Sequence, residues 1–237
     1  MRISRALALA GIAARRKCEA HVLAGEVAVN GEVVKDLGRQ VEPGKDRITF
    51  RGKPVAAEQK VYFLLHKPAG YTTTVSDPRA GKTVFELLPK LPARVFPVGR
   101  LDRDSTGLLL FTNDGDLANR LTHPRYEVGK VYEARLDRPL EPAALARLKR
   151  GIQLEDGPAR PERVELLAPG TVRLLLREGK KREVRRIFEA LGYRVQALCR
   201  TSFGPLRLGD LPAGRGRFLR MEEIAVLRRP RPAGART

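Results

Sequence analysis

From Val61 onward, strand-like and helix-like segments follow one another without a regular strand–helix–strand period, and that irregular order limits the fold more than any single motif. "VYFLLHKPAGY" starts as a buried strand and ends in a turn, "TVFELLPKL" is a short helix closed by Pro89, and "GLLLFT" at 107–112 is a buried strand. "NDGDLANRLTHP" turns and enters a helix. "KVYEARL" at 130–136 alternates like a half-buried strand, and "EPAALARLKRG" is a helix with proline at its start and glycine at its end. "TVRLLLRE" at 171–178 is a strand. "KREVRRIFEALG" at 181–192 puts Val184, Ile187, Phe188 and Leu191 on one helical face, and "YRVQALCRTSF" is a further strand. This order predicts an α+β domain over 61–227 built on one mixed, largely antiparallel sheet.

The first fifty residues read as a separate small unit. A helix is predicted at about 2–10, broken by Gly11, and a second at about 13–24, stopped by Gly25. "VAVNGEVV" is a hairpin signal because Asn30-Gly31 suits the positive φ angles of a tight turn. "DRITF" at 46–50 is a third strand. A unit of 1–51 has a very small core, more typical of a binding module than of an enzyme. Residues 52–60 read as a linker, with Gly, Pro and charge but no periodicity, and 228–237 as a basic, Pro-rich, disordered tail.

Charge narrows the class of partner. The 237 residues carry 46 Lys and Arg against 27 Asp and Glu, a formal charge of +19. Residues 171–237 hold 17 of the basic and only 6 of the acidic side chains. Clustered excess of this kind points to a polyanion, most simply nucleic acid. Aromatic residues make up 5%, too few for a stacking platform of many rings. No apolar run approaches the roughly 20 residues of a membrane helix. The apolar stretch at the N-terminus is short and is followed by Arg15, Arg16 and Lys17 where a cleavage site would stand, so a cytoplasmic protein is expected. Cys18 and Cys199 have no Cys or His neighbours at metal spacing and are expected as buried free thiols.

Against this basic background, Asp102, Asp104, Asp114 and Asp116 crowd into fifteen residues. A calcium loop beginning at Asp102 would need an acid at its twelfth position, where Asn113 stands, and its interior would be a strand. A two-metal nuclease stays open on sequence alone. Asp114 and Asp116 precede the periodic "LANRL" and suit a helix N-terminus. Asp102 and Asp104 lie in a polar loop ahead of a buried strand. Spacing leaves a surface ion pair and a cleft carboxylate equally open there.

Two resemblances bear on the choice. Residues 1–51 resemble the α-L RNA-binding motif of small-subunit ribosomal protein S-four, through Gly11, Arg15-Arg16 and the run from Gly25 to Gly31. The family's serine before the double arginine is replaced by Ala13-Ala14, so the second helix is expected to start about 1 kcal/mol less well capped. "GRLDRDSTGLLLFTNDGDLANRLTHP" resembles the signature of the RsuA/RluB family of pseudouridine synthases, with Ser105-Thr106 in the reverse of the usual order. The likeness continues through "GKVYEARL" and "LREGKKREVRRIFEALGYRVQALCRTSFGPLRLGDL", over nearly the whole chain.

The resemblance implies the pseudouridine synthase fold and isomerisation of a uridine in RNA with neither cofactor nor metal. It implies that Asp102 is the nucleophile, attacking the anomeric carbon or carbon-6 of the base, and that Arg185 holds it charged and oriented. Asp104 is expected to be a loop residue. Tyr132 would stack on the uracil and assist proton removal from carbon-5. Leu176 and Val184 would floor the pocket, and Arg100 would fill the gap left when the uridine flips out. Arg15, Arg16 and Lys17 in the first unit, and Lys180, Lys181, Arg182 and Arg186 in the second, would contact phosphates. "KPAGYTTTVSDPRAGKTVFELLPK" looks more like the large-subunit rRNA branch, with a target near the peptidyl-transferase loop. The same reaction on small-subunit rRNA, and a non-catalytic ribosome-assembly factor, are the alternatives. The expected partner is rRNA or an assembly intermediate, with no membrane, and the expected state is a monomer.

Overall fold

The computed structural model describes residues 1–42, 44–56, 58–74 and 81–229. Its contacts divide the chain into two units: Met1–Val61 with Leu91–Val95 and Asn113–Gly115, and the remainder. The basic stretch from 230 and the "VSDPRA" part of the subunit-branch motif lie outside the described residues.

The first unit contains α1 (Ile3–Leu9), α2 (Arg15–Leu23), β1 (Val27–Val29), β2 (Glu32–Val33), β3 (Ile48–Phe50) and β4 (Lys53–Pro54). Its sheet runs β2-β1-β3-β4. Asn30 and Gly31 take φ of +52° and +91°, which turns β1 tightly into β2. Ile3, Leu7, Cys18, Val22, Val27 and Val29 are wholly buried in one core. α2 starts after Ala14 with no side-chain cap. The expected linker is corrected in part: Lys53 and Pro54 pair with Phe50 and Thr49 as a fourth strand. Hydrogen-bonding register, not hydrophobic period, holds this edge strand, which is why the sequence pattern did not reveal it. The Asn113 side chain accepts from the Val61 N–H at 2.9 Å and donates to Glu58 and to the Gln59 carbonyl.

In the second unit the chain forms β5 (Tyr62–Lys67), β6 (Phe96–Pro97), β7 (Thr106–Thr112), α3 (Gly115–Thr122) and β8 (Lys130–Leu136). There follow α4 (Pro142–Arg150), β9 (Ile152–Leu154), β10 (Gly157–Ala159), β11 (Arg163–Ala168), β12 (Thr171–Leu176) and α5 (Glu183–Ala190). It ends with β13 (Val195–Phe203), β14 (Leu206–Arg207), β15 (Gly216–Phe218) and α6 (Met221–Arg228). The helix expected around Phe85 is a single 3₁₀ turn, Val84–Leu87, and the expected tail begins inside α6.

The main sheet runs β11-β12-β8-β13-β7-β5-β15, with β14 and β6 added at its side. Its neighbours pair antiparallel except β13 and β7, which are parallel, so the sheet is mixed and largely antiparallel. One apolar cluster packs α4 and α5 against β8, β12 and β13; a second packs α3 and α6 against β5 and β7. Along β13, Leu198 joins the first cluster and Cys199 packs on the second. Successive strand residues point to opposite faces, so the two helix layers cover opposite faces of the sheet. The central strand β7 is anchored by Leu108, Leu109, Leu110 and Phe111, all wholly buried. Each contributes roughly 1.5–3 kcal/mol, which makes β7 a rigid support for the loop that precedes it.

Candidate active site

The loop 101–105 enters β7 under unusual constraint. At its end, Gly107 has φ of +112°, and a Cβ there would lie 2.4 Å from the Arg200 carbonyl oxygen. Only glycine lets β7 and β13 approach so closely. Arg200, buried in β13, donates from Nε and Nη2 to the Leu108 carbonyl at 2.9 and 2.8 Å, and Thr106 Oγ1 donates to the Leu198 carbonyl. The strand base of the loop is thus locked to β13.

The loop itself is pinned by the turn after β5. The Thr73 hydroxyl donates to the Leu101 carbonyl at 2.9 Å, and the Gly70 N–H donates to the Arg103 carbonyl at 2.7 Å. Lys67 is wholly buried, and its Nζ donates to the carbonyls of Pro68, Arg103 and Ser105 at 3.0, 3.3 and 2.7 Å. Burial pushes the Lys67 ammonium down to about 8, against the charges of Asp104 and Asp102, which favour protonation. Within the loop the Ser105 N–H closes a turn onto the Asp102 carbonyl at 3.1 Å.

The two loop carboxylates meet different surroundings. Asp104 is gripped twice. Arg182 donates to both of its oxygens at 3.1 Å, and Arg185 Nε stands 3.2 Å from Oδ2. Burial works to raise Asp104, but the Arg182 hydrogen bond and the charges of Arg185 and Arg182 outweigh it and hold the carboxyl below its usual range. The half-buried Asp102 has no direct hydrogen-bond or ion-pair partner for its carboxylate among the described residues. Its charge acts on Lys67 and Arg182.

This corrects one expectation. Arg185 pairs with Asp104, not with Asp102, because its guanidinium is held by the Val195 carbonyl at 2.9 Å and the Asp104 carbonyl at 3.1 Å. Asp104 is a loop residue, as expected, and it also ties the loop to the start of α5. The grip explains a local oddity: Arg182 stands at φ of +51°, a left-handed conformation costing about 1–2 kcal/mol. Its bidentate pair with Asp104 offsets that cost. Next to it, the buried Glu183 accepts the Lys180 N–H at 3.1 Å and so ties the preceding turn to the first residue of α5. Burial raises the Glu183 carboxyl, against that N–H bond, which lowers it.

Tyr132 lies on β8 in a row that crosses four strands as Val164, Leu174, Tyr132 and Arg200. It packs half-buried on the apolar cluster to which Leu176 and Val184 also belong. Arg100 is exposed at the loop's entrance. The basic residues expected on phosphates divide. Lys181 is exposed, as are Arg16 and Lys17, while Arg15 stands 3.8 Å from Glu19. Lys180 donates to the Pro158 carbonyl at 2.5 Å, Arg182 holds Asp104, and Arg186 makes a bidentate pair with Asp156 at 2.8 Å. Lys67, Thr73, Gly107 and Arg200 are site-building residues that the sequence reading missed. A lysine closing the apolar run "VYFLLHK" and an arginine inside "VQALCRTSF" were the signals available. Among the described residues no three His, Cys, Asp or Glu side chains converge as a metal site.

Residues 61–190 match the family model described as RNA pseudouridylate synthase, and residues 1–48 match the S4 domain. The chain is 41% identical over 233 residues to ribosomal large subunit pseudouridine synthase B of Bacillus subtilis (strain 168), covering 96% of this chain and 95% of that one. It is 44% identical over 232 residues to an Aquifex aeolicus (strain VF5) protein described as an uncharacterized RNA pseudouridine synthase, covering 96% and 93%. A crystal structure of a pseudouridylate synthase superposes with a TM-score of 0.70 at 31% identity, over 96% of this chain and 99% of that one.

Proposed function

Since this chain belongs to the RNA pseudouridylate synthase family, and is thus an isomerase acting on RNA, we propose that Asp102 is its nucleophile and that its target is a uridine of large-subunit rRNA near the peptidyl-transferase loop. One observation carries the first part. Asp102 presents an unpaired carboxylate on a loop that is fixed from three sides, by Lys67 and Thr73, by Arg185 and by β13. A nucleophile needs a fixed position and a free lone pair, and the loop supplies both. The neighbouring Asp104 takes up the arginines that would otherwise clamp Asp102.

The reaction conserves every heavy atom. The carboxylate attacks the anomeric carbon or carbon-6, the bond from nitrogen-1 to the ribose breaks, the base turns, carbon-5 bonds to the ribose, and the bond to the Asp102 carboxylate breaks, which frees the enzyme. The proton on carbon-5 leaves and nitrogen-1 gains one. Tyr132 would stack on the turned base and take part in that proton removal, with Leu176 and Val184 beneath it. Neighbouring strands lie about 4.8 Å apart, so the two steps from β7 through β13 to β8 leave roughly 10 Å between the loop's strand and Tyr132. A flat base fits that span. Arg100 would occupy the vacated stack, and Lys181, with Arg16 and Lys17 of the S4 domain, would contact phosphates. The likeness to the Bacillus enzyme supports the large subunit as the source of the target.

Tritium release from transcripts labelled at uridine carbon-5, run in EDTA on large- and small-subunit RNA, tests the reading. Wild type is expected to release tritium from large-subunit RNA, and Asp102→Asn to lose at least about 10⁴-fold in rate. Release by Asp102→Asn at the wild-type rate would remove Asp102 from the chemistry. Release from small-subunit RNA alone would move the target.

A further inference from the structure

The second unit has a concave surface that the chemistry above does not use. In the half of the sheet made of β11, β12 and β8, the face that carries Leu174 and Tyr132 is covered by α4 and α5. The registers Glu165↔Arg173↔Glu133 and Arg163↔Leu175↔Val131 put those six side chains on the other face. They line a groove of about 1460 Å³, bounded by the ends of α3 and α6 and by the turn from β13 to β14. Small-molecule sites run to about 300–1,000 Å³, so the groove suits a polymer better than a metabolite.

Six arginines and three glutamates line it. Their arrangement matters more than their number. On the floor, Arg173 bonds Glu133 at 2.8 Å and Glu165 at 3.1 Å, which spends its charge. Arg177 is likewise held by Glu162. Arg163, Arg207 and Arg229 are exposed, and among the described residues their guanidinium groups have no partner. Three arginines with free forks around a trough match the phosphates of a nucleic-acid strand, which guanidinium binds in bidentate fashion.

We infer that this groove, on the face of the sheet opposite Tyr132, is a second RNA-contact surface, and that Arg163, Arg207 and Arg229 hold backbone phosphates of rRNA outside the target stem-loop. The inference rests on the substrate being part of a large folded RNA. It gives the enzyme affinity for its ribosomal context without adding anything to the uridine pocket.

The test compares wild type with the triple variant Arg163→Ser, Arg207→Ser, Arg229→Ser. Binding is measured across a salt series on a large-subunit rRNA domain and on a short target hairpin, alongside tritium release from each. On the long RNA the variant is expected to bind at least about tenfold more weakly, and its salt slope to shrink by roughly 2–3 as three phosphate contacts are lost. On the hairpin its release rate stays within about twofold of wild type, which also shows that it folds. Equal affinity and slope on the long RNA would overturn the inference. So would a loss confined to assembly particles that carry ribosomal proteins, with naked RNA bound normally, since the groove would then be a protein surface. Failure of wild type to release tritium from large-subunit RNA would sink the target assignment and leave the binding comparison readable.

Discussion

Two arginine–carboxylate clusters in the second unit use the same chemistry in opposite proportions. At the loop, one aspartate, Asp104, is shared by Arg182 and Arg185. On the uncovered sheet face, one arginine, Arg173, is shared by Glu133 and Glu165. The first cluster keeps a net positive charge and joins segments 78 and 81 residues apart. The second keeps a net negative charge and joins rungs of adjacent strands. The excess positive charge stands beside an unpaired carboxylate, Asp102, where an anionic backbone must also arrive. The excess negative charge lies where phosphate is least wanted, on a trough floor below arginines at the rim. An ion pair is therefore read best by what it leaves over.

The largest effect expected within this contrast comes from Arg185→Ala. It removes the ties to the Val195 and Asp104 carbonyls, lets the loop drift, and lowers kcat by about 10²-fold. Arg185→Lys does not restore it, since an ammonium cannot span both carbonyls and the carboxylate. Single-turnover rates with saturating RNA check this. Next comes Lys67→Met, which loses three hydrogen bonds under the loop and lowers kcat by about tenfold. It carries a second signature. An unfolded lysine titrates near 10.4, whereas burial sets Lys67 at about 8. Between those values the unfolded chain binds more protons than the folded one, so stability rises with pH across that window. Urea unfolding from pH 7 to 10 is expected to show the rise in wild type and not in Lys67→Met.

Asp104→Asn sharpens the comparison because it changes charge but not shape. It should lower kcat by less than about tenfold while adding about one unit to the salt slope of RNA binding, as the cluster gains one net positive charge. A fall in that slope would show that the arginines serve Asp104 alone. The smallest effect is expected on the other side. Glu165→Gln leaves Arg173 its bond to Glu133 and should shift stability by less than about 1 kcal/mol with activity unchanged.

The sequence made the architecture legible where periodicity was strong. The faces of α5, the hairpin at Asn30-Gly31 and the buried run of β7 all stand where their patterns put them. Short elements without a period escaped it: β4, the β9–β10 hairpin and α6, whose exposed Met221 and Val226 blur its pattern. The RsuA/RluB resemblance pointed to Asp102, Tyr132 and Arg185, and the structure brings Arg185 to the right loop but to the other aspartate. That exchange could not be read from spacing. It depends on carbonyls at 104 and 195, which look alike in every residue, and on a left-handed turn at Arg182. Lys67 was hidden for the same reason, since its partners are all backbone.

The lock between β7 and β13 also sets an order of assembly. Thr106 bonds Leu198, and Arg200 bonds Leu108, each across 92 residues of chain. At the rate of translation that separation lasts on the order of ten seconds. The core of the first unit, by contrast, is complete between Ile3 and Val55. A chain emerging from the ribosome can therefore fold its S4 domain well before the loop bearing Asp102 has its second wall. With Asp102 as the proposed nucleophile, the S4 domain is complete first and the reactive loop last, so a chain cut short before β13 is expected to bind RNA without isomerising it.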